Sequence, residues 1–127
     1  MRVRNLMKQP VIAAGPDQTL REAARLMHDH QIGALVVEEA GRLAGIITER
    51  DLLRAAAEAR DLDREPIAGL MSTDVVTAGS NYDVNVAAAL MHERHIRHLI
   101  VQDQDEVLGM LSLRDVLSVF LPEHVHG

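Results

Sequence analysis

The chain has 127 residues, 47% of them hydrophobic and 2% aromatic, with no Cys, no Trp and a formal net charge of −6. The length suits one domain or two small units, and the composition is that of a folded chain rather than a disordered one. Without Cys there are no disulfides, thiolate nucleophiles, Cys-ligated zinc or iron–sulfur clusters; the negative charge disfavours nucleic acid, and Tyr82 and Phe120 are too few rings for base readout by stacking. No apolar run approaches the ~18 residues of a membrane span, and no signal-peptide pattern opens the chain. A cytoplasmic location with no membrane partner is the expectation.

Pro10–Ala14 is short, apolar and ended by Gly15, which predicts a strand. Thr19-Leu-Arg-Glu22 is a capping box. Leu20, Ala23, Ala24 and Met27 then follow at helical spacing and predict a helix ending near Gln31. Ala34–Val37 is a compact apolar run, hence a buried strand, and Leu43–Ile47 is its returning partner after the turn Gly41-Arg42. Thr48, a favoured N-cap, opens a helix over Glu49–Ala59 with Asp51 in its first turn. The second half reads the same way. Asp74–Ala78 predicts a strand, Asp83 caps a helix ending near His95, and His98–Val101 and Val107–Leu111 form a hairpin about Asp105-Glu106. Ser112 caps a last helix over Leu113–Leu121, with Asp115 in its first turn.

This parallel is a repeat. Leu6-Met7 recurs as Leu70-Met71, Leu26-Met27-His28 as Leu90-Met91-His92, and Arg50-Asp51 as Arg114-Asp115, all at an offset of 64. Aligned without gaps, Leu6–Leu53 and Leu70–Leu117 share 17 of 48 positions, too many for chance. Residues 1–60 and 61–127 are therefore two copies of one β-α-β-β-α unit, with Ala55–Asp63 the end of a helix and a connection, and Pro66 opening the second copy. One such unit is marginal alone. The expected fold is α/β (α+β), two tandem units packed sheet to sheet about a pseudo-twofold axis, with non-alternating strands covered on both faces.

The residues Leu6-Met7, Thr19-Leu-Arg-Glu-Ala-Ala-Arg-Leu-Met27, Ile32-Gly-Ala-Leu35 and Gly45-Ile-Ile-Thr-Glu-Arg-Asp51 resemble the CBS domain, named for cystathionine β-synthase. Leu70-Met71, Ile96-Arg-His-Leu99 and Gly109-Met-Leu-Ser-Leu-Arg-Asp115 resemble it equally well. The resemblance spans about residues 3–121. Its most specific part is Gly-x-x-Thr/Ser-x-x-Asp at a strand-to-helix junction, found twice at the same offset. It implies a CBS pair, or Bateman module, of the kind that binds adenine nucleotides or S-adenosylmethionine in a cleft and often dimerises through its helices. Such pairs regulate attached enzymes, transporters or channels; here the pair accounts for the whole chain, which implies a stand-alone regulator.

Thr48 and Ser112 supply hydroxyls beside helix N–H groups and suit a phosphate. Asp51 and Asp115 accept hydrogen bonds only, and a carboxylate can receive a ribose diol with both oxygens. The same residues are equally consistent with plain helix caps; the resemblance implies ribose at the aspartates and phosphate at Thr48 and Ser112. Arg97 and His98 open a buried strand where the first copy has Gly33 and Ala34. In the family, basic residues there contact phosphate across the cleft; alternatively Arg97 pairs with surface carboxylates and His98 is an ordinary strand-edge residue. Pro10, Ile12 and Ala34 would line one adenine slot, with Lys8 near it as a phosphate contact or a solvated lysine; Asp74 and Val76 would line the other. The Ser112–Asp115 pocket would borrow Gly33 and Ala34 from copy one. Family members often carry Pro before the valines of this strand; Leu35-Val36 and Leu99-Ile100 have none.

Histidines His28 with His30, and His92 with His95, are spaced two and three apart with no carboxylate or Cys fixed beside them, while His124 and His126 lie in the tail. Solvent-facing histidines are expected rather than a metal. No nucleophile elbow, P-loop or dinucleotide fingerprint occurs, so no enzyme activity and no cofactor are expected. The expected function is a regulatory module binding AMP, ADP, ATP or S-adenosylmethionine, homodimeric, acting on an unidentified regulated protein. The alternative is a ligand-independent homodimer with vestigial clefts, its interface drawn from Met27, Met91 and Ala87–Ala89.

Overall fold

The computed structural model describes residues 1–121. Among them, six strands and four α-helices follow in the expected order, with short 3-10 turns at Val3–Asn5 and Ile67–Gly69. The strands and helices are β1 (Ala13–Ala14), α1 (Leu20–His30), β2 (Ala34–Glu39), β3 (Arg42–Thr48) and α2 (Glu49–Ala57), then β4 (Thr77–Ala78), α3 (Val84–Arg94), β5 (His98–Asp103), β6 (Glu106–Ser112) and α4 (Leu113–Ser118). Two three-stranded sheets result, in the orders β1-β2-β3 and β4-β5-β6. In each the short first strand runs parallel to the second, and the second pairs antiparallel with the third. The repeat extends to detail: both hairpins slip register at the equivalent place, between Val37 and Glu38 and between Val101 and Gln102.

The helices start and stop where local chemistry directs. The amide of Glu22 donates to the Thr19 hydroxyl, and the Thr19 amide donates back to the Glu22 carboxylate, closing the capping box. Asp83 caps α3 by accepting from the Asn85 amide at 2.8 Å. Gln31 and His95 end α1 and α3 in the left-handed conformation, each with φ of 56°. Helix α2 stops at Ala57, two residues before the predicted end, where Ala59 turns left-handed and the Arg60 amide returns to the Ala55 carbonyl. Helix α4 stops at Ser118 instead of Leu121, because the Val119 and Phe120 amides close tighter turns onto Val116 and Leu117.

The chain divides into two compact units whose limits are offset from the sequence copies. A first unit holds Ile12–Val75, and a second combines Met1–Val11 with the described residues from Val76 onward. The opening segment of each copy completes the other unit. In the second unit Val3 is fully buried in the core with Leu99, Val101 and Leu111, and its amide donates to the Tyr82 carbonyl. In the first unit Ile67 does the same beside Leu35, Val37 and Ile47, with its amide on the Gln18 carbonyl. This exchange also trims the predicted strands Pro10–Ala14 and Asp74–Ala78 to two residues each. The residues just ahead of them are already committed, since Lys8 bridges to Met110 and Ser72 to Ile46.

Each core is aliphatic, as the composition required. Both faces of the central strands are buried, since Val36 and Ile100 are as inaccessible as their neighbours Leu35 and Leu99. Met27, Met91 and Ala87 are core residues, at 5%, 1% and 0% exposure, which corrects their assignment to an outward interface. They sit on the buried stripes of α1 and α3, where a helix presents one face to its sheet. The large apolar side chains left outside include Leu53 on α2 and Leu117 on α4, which are repeat equivalents.

Candidate functional site

The two strand-to-helix junctions are built alike. At the first, Thr48 ends β3 in extended conformation and caps α2. The Asp51 amide donates to Thr48 Oγ1 at 3.3 Å; the Thr48 amide and hydroxyl both donate to Asp51 Oδ2, at 2.8 and 3.1 Å. At the second, the Asp115 amide donates to Ser112 Oγ at 3.0 Å and the Ser112 amide to Asp115 Oδ2 at 3.1 Å. One carboxylate oxygen of each aspartate therefore holds the cap, and Oδ1 turns toward a cation. Arg54 lies 3.6 Å from Asp51 Oδ1, and Lys8 lies 3.5 Å from Asp115 Oδ1. A carboxylate accepts about four hydrogen bonds, so the cap leaves capacity for a hydroxyl donor at both sites.

The expected neighbours fall as follows. Gly33 and Ala34 belong to the Thr48 junction of their own unit: the Gly33 carbonyl accepts from the Glu49 amide at 2.9 Å, and Ala34 is the register partner of Thr48. Arg97 and His98 hold the equivalent places at the Ser112 junction, with the Arg97 carbonyl on the Leu113 amide at 2.8 Å and His98 opposite Ser112. Ile12 packs against the first core and its carbonyl accepts from the Val36 amide. Val76 packs against the second core, while Pro10 and Asp74 are exposed. Lys8 is set against Asp115 in the second unit, where its amide and carbonyl both bond Met110.

Three features carried little sequence signal. The Gly of Gly-x-x-Thr/Ser-x-x-Asp admits a crossing segment: a Cβ on Gly109 would lie 2.8 Å from the Lys8 carbonyl oxygen and 3.0 Å from the Met7 sulfur. Its repetition as Gly45 was the available clue. Secondly, Ser80 is buried and donates to Asp103 through its amide at 2.9 Å and its hydroxyl at 2.5 Å. These bonds hold the Asp103 carboxyl below its usual range, burial opposes them, and Arg4 adds to them. Copy one has Pro16 and Glu39 there, so no repeat comparison marks it. Thirdly, the connection after α2 is tied down by Arg60, which bonds Glu65 through Nε and Nη2, and by the Arg21–Asp63 pair.

His28, His30, His92 and His95 are exposed. Among the described residues no three potential ligands of the His, Cys, Asp or Glu type gather for a metal; His124 and His126 lie outside the described residues. No described helix is long and apolar enough to cross a membrane.

Comparison with known proteins agrees with this architecture. The CBS domain model matches residues 3–58 and again 67–122. The CBS domain-containing protein YhcV of Bacillus subtilis is 38% identical over 115 residues, 90% of this chain and 81% of that protein. The CBS domain protein PAE2072 from Pyrobaculum aerophilum, solved in complex with AMP, superposes with a TM-score of 0.84 at 32% identity, covering 91% of this chain and 89% of that one. The CBS domain pair of protein MJ0100, solved with 5-methylthioadenosine and S-adenosyl-L-methionine, gives a TM-score of 0.87 at 29% identity, covering 94% and 95%. With two matched copies, two repeated sheets and two capped junctions, the chain belongs to the CBS domain family.

Proposed function

We propose that this CBS pair is a regulatory module that binds an adenine nucleotide or S-adenosylmethionine, with Asp51 and Asp115 receiving ribose hydroxyls and the Thr48 and Ser112 junctions facing phosphate or its equivalent. The observation that supports this most is the duplicated junction, in which each aspartate keeps one oxygen for its cap and sets the other against a cation. Two structurally similar CBS proteins hold AMP or S-adenosylmethionine. The module has no catalytic role in this reading. Ligand binding favours one arrangement of the protein over another, and a regulated partner protein reads that difference.

The proposal includes a homodimer. Leu53 and Leu117 occupy equivalent places on α2 and α4 and are 72% and 51% exposed. Two such leucines per chain are suited to burial against a second copy. Isothermal titration with AMP, ADP, ATP and S-adenosylmethionine tests the ligand reading, and light scattering tests the dimer. Saturable heat that is reduced by Asp115→Ala or Asp51→Ala supports the reading. Absence of heat and of thermal stabilisation at millimolar ligand contradicts it, because a ligand of the folded state must stabilise that state. A dimer indifferent to every ligand would favour the interaction-protein alternative.

A further inference from the structure

We infer that the second unit pairs with the second unit of another copy, through the outer side of α3 and the residues just past α4. The inference rests on the homodimer reading and names the surface that carries it.

The chain has one Tyr and one Phe. Both cores are aliphatic, and both rings stand outside them, with Tyr82 45% and Phe120 63% exposed. Aromatic side chains are enriched where proteins meet and supply the anchors of such contacts. Both belong to the second unit. So does every large apolar side chain exposed among the described residues, except Leu53.

The first unit shows the same positions equipped for water. Gln18 and Glu22 stand where the second unit has Tyr82 and Val86, and their side chains are hydrogen bonded at 3.1 Å. Arg21 and Arg25 stand where it has Asn85 and Ala89, and Arg21 pairs with Asp63 of the connection after α2. Ala56 and Ala57 stand where it has Phe120 and Leu121. The same connection shows that these positions share one end of a unit. It bonds the end of α2, with the Arg60 amide on the Ala55 carbonyl, and the start of α1, with the Arg21 amide on the Leu62 carbonyl. The end of α4 and the start of α3 are the equivalent places.

Charge selects the occupant. At a net charge of −6, two copies repel except where a face carries no charge of its own. Setting the second unit of one copy on the first unit of another would cover Arg21, Glu22 and Arg25, which are exposed on α1. Charges withdrawn from water are costly unless fully paired. Setting it on its own equivalent brings together only Asn85, Val86 and Ala89 from this side of α3, whose charged Glu93 and Arg94 come a turn later. Such a contact is self-complementary and closes at two copies.

The absence of Cys makes a direct test available, because each introduced thiol is the only one in its chain. Ala89→Cys and Phe120→Cys chains, mixed and treated with a short bis-maleimide, should give linked dimers in which second-unit positions are joined. Arg25→Cys mixed with Phe120→Cys should give no link between those two positions. Val86→Asp with Phe120→Asp should weaken dimerisation at least about thirtyfold in sedimentation equilibrium with the melting curve retained, and Arg25→Ala should change it less than about twofold. A link between positions 25 and 120, or a dimer unmoved by the double Asp variant, would overturn the second-unit pairing and leave the homodimer reading standing. A parent chain monomeric at every concentration would overturn both, and would leave this face to a different protein.

Discussion

The carbonyl oxygen of Ser72 occupies the space that a side chain on Gly45 would need: a Cβ there would lie 2.6 Å from that oxygen and 3.0 Å from the Met71 sulfur. The oxygen is not mobile, because it accepts from the Ile46 amide while the Ser72 amide donates to the Ile46 carbonyl. Gly45→Ala should therefore cost about 1–3 kcal/mol, and Gly109→Ala a similar amount at the Lys8 crossing. Gly69→Ala, whose nearest neighbour would be an arginine tip at 3.9 Å, is the control and should change little. Denaturant unfolding of the three variants checks this; equal effects at Gly45 and Gly69 would contradict the close approach.

The caps make a separate prediction. Thr48 and Ser112 each accept the N3 amide of the following helix. Thr48→Ala and Ser112→Ala should each lose about 1 kcal/mol, and Thr48→Ser close to none. Thermal unfolding followed by circular dichroism measures both. A Thr48→Ala protein as stable as the parent would mean that the hydroxyl serves a ligand alone.

Asp103 gives a pH dependence. Its folded pKa is lowered, first by the Ser80 hydroxyl, then by the Ser80 amide and the charge of Arg4. A lowered folded pKa means stability that is fully present above the unfolded value and is lost as pH falls through the folded one. The stability gap between the parent and Asp103→Asn should therefore be widest near neutrality and should shrink below about pH 4, the ordinary aspartate value. Asp63, held low by Arg21, and Glu65, held low by Arg60, act in the same direction. Unfolding midpoints across pH 3–7 read the trend. A gap that widens on acidification would contradict the sign.

The leucines outside the cores separate association from folding. Leu53→Asp with Leu117→Asp should alter monomer stability by less than about 0.5 kcal/mol, as exposed substitutions do. It should halve the mass found by light scattering if these helices bury against a second copy. By contrast Ile47→Ala, at a fully buried position, should cost about 2–5 kcal/mol.

Much of this fold is legible because local chemistry agrees with tertiary need. Ala34–Val37 reads as a buried strand and is one; Thr19 with Glu22 reads as a capping box and closes one. The exchanged opening segments are not legible. Val3 and Ile67 each open a single short 3-10 turn, Val3–Asn5 and Ile67–Gly69, too brief for a period to mark them, and only the three-dimensional structure shows that each completes the other copy's core. Met27 and Met91 misled for the opposite reason. Their spacing was correctly helical, but helical spacing alone does not say which stripe faces inward once alanines populate both sides. At the junctions, residue types announced Thr48, Asp51, Ser112 and Asp115. The chain crossing that delivers Lys8 to Asp115 depends on a long-range backbone bridge, which a linear pattern does not encode.

In the proposed function, Asp51 and Asp115 receive the ribose of an adenine nucleotide. Calorimetric titration of the intact chain with AMP and ATP, repeated on Asp51→Ala, Asp115→Ala and the double variant, tests it most directly. Saturable binding is expected, with partial loss of sites in each single variant, none left in the double variant, and thermal stabilisation of about 2.7 kcal/mol at a hundredfold excess over Kd. Undiminished binding in the double variant, or no binding by the parent at millimolar nucleotide, would contradict it.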